Sequence, residues 1–101
     1  MTKEEFRKEI DGCRLSVAKF SACWCGPCRL VKPIFEQLAS ENRDVKFIEV
    51  DIDESAEVAA EYGIMNIPTM LFFVDGEAAD MLVGMQTRDG IKEKIEALKK
   101  F

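Results

Sequence analysis

The sequence contains no histidine, one tryptophan, one tyrosine and three prolines among 101 residues. Without imidazole, a Ser-His-Asp triad, a Cys-His pair and a mixed Cys/His zinc site are all excluded. So few prolines, with six glycines and 48% hydrophobic residues, do not fit a disordered or fibrous chain. No apolar run approaches the roughly 20 residues that cross a bilayer. Residues 1–9 alternate charges where a signal peptide needs an apolar stretch, so a cytoplasmic protein is expected. Positive charge is also in deficit: 14 Lys and Arg against 19 Asp and Glu leave a net charge of -5. That balance repels a phosphate backbone and an anionic membrane surface alike, so neither is expected as a partner. A chain of this length is expected to form one domain over residues 1–101, burying roughly two-thirds of the surface its unfolded form exposes.

What the chain does have is sulfur. Cys13, Cys23, Cys25 and Cys28 all fall in the first third, a poor arrangement for a disulfide framework stapling the whole fold. In a reducing compartment such cysteines are more often catalytic or metal-binding than structural.

The pattern of the remaining residues predicts eight elements. Thr2 with Glu5 forms a capping-box pattern, and Phe6 and Ile10 follow at helical spacing before Gly12 closes a first helix. Leu15 to Ser21 reads as a buried strand interrupted by Lys19. From Cys25 to about Ser40, Leu30, Val31, Ile34, Phe35 and Leu38 mark one helix face, with Pro33 inside predicting a kink. Val45 to Asp51 is β-branched and aromatic, a second strand. Glu54 to Tyr62 is a short helix stopped by Gly63. Thr69 to Val74 and Ala78 to Val83 flank Asp75-Gly76, a strong hairpin signal. Thr87 then caps a last helix presenting Ile91, Ile95 and Leu98. Strands separated by helices imply parallel pairing with right-handed crossovers, and the final hairpin adds an antiparallel edge. An α/β fold with a mixed sheet and helices on both faces is the expectation.

Trp24-Cys25-Gly26-Pro27-Cys28 lies where a strand ends and a helix begins. Free N–H groups and about half a positive charge at a helix N-terminus favour an anion, so a Cys25 thiolate there forms at lower pH than a free thiol. Two intervening residues place Cys28 about one turn onward, within reach of a small disulfide ring. Pro27 suits the first turn, where its missing N–H costs nothing. Trp24 can wall the site. In this context a C-x-x-C pattern favours redox over zinc, and a four-thiolate zinc site usually takes two such pairs. No metal ligand set is therefore expected, and Cys13 and Cys23 read as bystanders.

The chain resembles the thioredoxin family in Phe20 to Pro33 (FSACWCGPCRLVKP), Val50 to Thr69 (VDIDESAEVAAEYGIMNIPT), the hairpin at Asp75-Gly76 and the Val83-Gly84 pair. The resemblance implies that Cys25 attacks a substrate disulfide, that Cys28 resolves the mixed disulfide, and that Ile67-Pro68 is a cis peptide facing the sulfurs. It further implies a docking surface of Trp24, Gly26, Pro27, Ile67, Pro68, Gly84 and Met85. Ile67 and Met85 have ordinary core packing as their competing reading. No cofactor is implied beyond the Cys25-Cys28 disulfide, and no G-x-G-x-x-G occurs to bind a flavin or nicotinamide. Electrons would come from a thioredoxin reductase and pass to disulfide-containing target proteins.

Two departures stand out. The family usually has a buried aspartate at the position of Lys19 and a lysine at that of Glu49. Here the charges are exchanged, so Lys19 and Glu49 are candidates for proton transfer at Cys28, and a cation at Lys19 would make the disulfide a better oxidant. The competing reading of Lys19 is a solvated side chain whose stem packs on the strand. Members also commonly begin with an extra strand, so a four-stranded sheet is expected, with Val45 to Asp51 as a charged edge and a monomer as the working unit. The alternatives to a protein-disulfide reductase are a redox-inactive or zinc-holding module of the same fold and a more oxidising, isomerase-like variant.

Overall fold

The computed structural model describes residues 1–101 and contains four helices and four strands. In chain order these are α1 (Lys3–Asp11), β1 (Leu15–Ser21), α2 (Gly26–Glu41), β2 (Lys46–Asp51), α3 (Ala56–Glu61), β3 (Thr69–Val74), β4 (Glu77–Val83) and α4 (Arg88–Leu98). Thr2 accepts the Glu5 N–H while Glu5 reaches back to the Thr2 N–H, so the capping box forms as its sequence predicts. Thr87 caps α4 in the same manner through the Gly90 N–H. Gly12 follows α1 in a right-handed conformation, and Gly63 supplies the positive φ after α3. α2 runs unbroken through Pro33.

The sheet order is β2-β1-β3-β4. β1 and β2 are parallel, joined by α2, and Lys19 stands in register with Glu49. The expectation of parallel pairing fails for β3, which runs antiparallel to β1 despite the intervening α3. The reason is length: six residues of helix rise about 9 Å, too little to carry the chain back along a strand of about 20 Å. The chain therefore turns round at the end where β1 and β2 finish. β3 and β4 close through Asp75-Gly76, both at positive φ, the turn that matches strand twist.

Alternation along β1 splits the interior in two. Leu15 and Val17 face α2 and α4, meeting Val31, Phe35, Leu38, Ile91 and Ile95. Ala18 and Phe20 face α1 and α3, meeting Phe6, Ile10 and Val58. One expected core residue is misplaced: Leu30 is 64% exposed. The buried stripe of α2 runs through Val31, Phe35 and Leu38, and a single sheet can cover only that one stripe.

Candidate active site

β1 ends at Ser21, and four residues later Cys25 stands as the N-cap of α2. Its Sγ accepts the Cys28 N–H at 3.2 Å, so a sulfur takes the place usually held by a Ser or Asp oxygen. Cys25 and Cys28 are joined in a disulfide with their Cα atoms 5.3 Å apart, a separation ordinary for such a bond. Gly26 and Pro27 fill the first turn and are exposed. Both bonded cysteines are buried among Ala22, Ile52 and Ile67, which leaves one small apolar seat for the sulfurs. Cys23 is exposed and Cys13 half-buried, and neither is bonded. No three His, Cys, Asp or Glu side chains are grouped closely enough to hold a metal ion.

Around this seat the chain assembles a rim from three loops. Ile67-Pro68 is cis, with Pro68 buried and Ile67 half-buried against the cysteines. The Gly84 N–H, at positive φ, donates to the Pro68 carbonyl at 2.8 Å and fastens the end of β4 to that loop. Met85 next to it is 51% exposed, which sets aside the reading of this residue as core. Trp24 is 64% exposed yet tethered, because its indole N–H donates to Asp53 Oδ2 at 2.8 Å. Asp53 in turn sits in a turn set by Asp51, whose Oδ1 accepts the N–H groups of Asp53 and Glu54. Asp53 is a rim residue that reading the sequence did not single out. Asp53 lies 29 positions from Trp24, and nothing local signals their meeting.

Beneath the disulfide lies an open cavity of about 700 Å³ lined by Lys19, Cys28, Arg29, Lys32, Glu49 and Asp51 among others. Lys19 is buried, with 2% of its side chain exposed, and its Nζ lies 2.9 Å from Glu49 Oε1. The same Nζ is 5.1 Å from the centre of the Phe35 ring, a second favourable contact for a desolvated cation. Glu49, by contrast, is 47% exposed. The pair thus runs from the protein interior to water. Lys19 is no solvated side chain.

Residues 1–97 match the sequence model of the thioredoxin family. Thioredoxin of Mycoplasmoides gallisepticum is 42% identical over 80 residues, 79% of this chain and 80% of that one. The thioredoxin of Equus caballus is 40% identical over 98 residues, 95% of this chain and 89% of that one. The X-ray structure of Fasciola hepatica thioredoxin is similar with a TM-score of 0.90 at 38% identity, over 95% of this chain and 93% of that one. A likeness that runs through both sequence and fold, from the sulfur pair to the last helix, makes this chain a member of the thioredoxin family of protein-disulfide reductases.

Proposed function

We propose that the chain reduces disulfides of partner proteins through Cys25 as the attacking sulfur and Cys28 as the resolving one. The observation that carries this reading is the Cys28 N–H held on Cys25 Sγ at the head of α2. A thiolate formed there keeps that hydrogen bond and the positive end of the helix dipole. In the reduced protein the Cys25 thiolate attacks one sulfur of the target disulfide, forming a mixed disulfide and releasing the first target thiolate. Cys28 then attacks Cys25 Sγ, re-forming the internal bond and releasing the second target thiolate. Two electrons pass to the target, and the two protons of the dithiol end on the target thiols or in water. Glu49, half-exposed at the mouth of the cavity that Cys28 lines, takes the Cys28 proton to solvent.

Trp24, Gly26, Pro27, Ile67, Pro68, Gly84 and Met85 receive the target. An apolar rim with few fixed donors recognises shape more than sequence, which suits many partners. A thioredoxin reductase restores the dithiol, since the chain has no nucleotide-binding motif of its own. A cytoplasmic setting suits this role because reduced thiols persist there.

Insulin reduction followed by turbidity tests the assignment. Cys25→Ser abolishes turnover, whereas Cys28→Ser accumulates a covalent adduct with the target, seen by mass spectrometry under non-reducing conditions. Turnover by Cys25→Ser at the wild-type rate would exclude this mechanism.

A further inference from the structure

Resting on the dithiol reading above, we propose that Lys19 is a resident cation of the active-site cavity that stabilises the reduced, thiolate form of the Cys25-Cys28 pair and thereby raises its reduction potential.

Lys19 is the one charged side chain among the buried residues, and it sits on the central strand β1. Removing an ammonium from water is costly, and an ion pair with one carboxylate seldom gains more than apolar packing at the same place would. Stability alone therefore gives no reason for a lysine here. Its position does. Lys19 lines the same cavity as Cys28, on the face of β1 that looks toward α2.

Around Lys19 stand Glu49 in register on β2, Met70 in register on β3 and the Phe35 ring of α2, of which only Glu49 is a formal charge; Cys28 lines the same cavity. The side chains lining the cavity include three cations (Lys19, Arg29, Lys32) and three acidic groups (Glu49, Asp51, Glu54). By count they cancel, but by exposure they do not. Arg29, Lys32, Glu49 and Glu54 are exposed and Asp51 is half-buried, so water and salt screen them. Lys19 alone acts through the protein interior, where a charge is felt more strongly.

The sign follows from the chemistry. An intact disulfide carries no charge and gains little from a nearby ammonium, whereas a thiolate gains much. The cation thus favours the reduced state, which makes the disulfide the stronger oxidant. The reaction to be measured is the disulfide plus two reduced glutathione giving the dithiol plus oxidised glutathione. Two electrons move from glutathione to the protein; its two sulfurs take up the two glutathione protons or, as thiolates, release them to water.

The equilibrium constant with glutathione at pH 8, together with thiolate absorbance of the reduced protein against pH, tests the proposal. Lys19→Met and Lys19→Gln remove the charge; Gln keeps a donor for Glu49 and serves if Met does not fold. Both should shift the equilibrium about tenfold toward the disulfide, a fall of about 30 mV in potential, and move the thiolate titration upward. Lys19→Arg, which keeps the charge, should stay within about twofold of wild type. Equal constants in all four proteins would overturn the proposal, as would an Arg variant that falls with the neutral pair, which marks a packing effect. Failure of wild type itself to exchange with glutathione would instead defeat the dithiol reading.

Discussion

On one face of the sheet Phe6, Phe20, Tyr62 and Phe73 cluster around α1, with Phe6 and Tyr62 ring centres 5.6 Å apart and Phe6 and Phe73 5.8 Å, edge to face. On the other, among Val17, Phe35 and Met70, lies the ammonium of Lys19. Both faces belong to the same strands and are sealed by two helices each. The aromatic face meets the sulfur seat only at its border, through Ile52 and Ile67, which pack against both, so its ring cluster answers to shape. The opposite face accepts a desolvated charge directly under the first turns of α2. Each side of the layer carries its own packed core, and on the proposal above the charge that tunes the sulfurs lies on only one of them.

Substitutions on the aromatic face put that division at risk most directly. Phe6→Ala, at 1% exposure, should cost about 3–5 kcal/mol in denaturant unfolding, as expected for a large core side chain. The glutathione equilibrium of the protein that remains folded should not move. A parallel change in both would show that the two faces are not separate.

A smaller effect is expected at the far end of the same face. Arg7 clamps the β3-β4 hairpin to α1 by donating to Asp11 and, at 2.6 Å, to the Gly76 carbonyl. Gly76 has φ +81°, and an added Cβ would collide with Asp11 Oδ1 and lie 2.8 Å from Arg7 Nη2. Gly76→Ala should therefore cost about 1–2 kcal/mol in thermal unfolding while leaving insulin reduction unchanged. Lost activity at full stability would tie the hairpin to the site.

The weakest effect concerns the one tyrosine. Burial pushes the Tyr62 hydroxyl above its ordinary value of 10.0, against the opposing pull of Arg7. An unfolded chain then ionises first, so this group's contribution is complete below pH about 10 and is lost as pH rises through the folded-state value. Ultraviolet titration of the folded protein should give a phenol midpoint above that of a model peptide, and Arg7→Leu should raise it further. A midpoint at or below the peptide's would mean that the aromatic face is wet.

Much of this organisation is written locally. The hairpin is legible because Asp-Gly meets the positive φ that the turn requires, and the sulfur pair because its spacing fits one helical turn. The capping box of α1 and the Thr87 cap of α4 are legible for the same reason: donor and acceptor are three residues apart. Leu30 misleads because an apolar residue beside a buried stripe reads as part of it until the limits of the covering sheet are known. The direction of β3 misleads because α3 has a helical pattern but too few residues for a crossover. The burial of Lys19 rests on its register with Glu49 across a parallel pair, and the Trp24–Asp53 tether on loop packing. Neither is a property of any short window of sequence.

The bond between Cys25 and Cys28 spans a sequence separation of 3. Closing so short a loop removes little freedom from a disordered chain, at most about 2 kcal/mol on an entropic account. A cross-link joining distant strands would instead make every round of electron transfer a partial melting and refolding of its carrier. Here the carrier can be emptied and refilled while its architecture stays nearly indifferent to which state it is in.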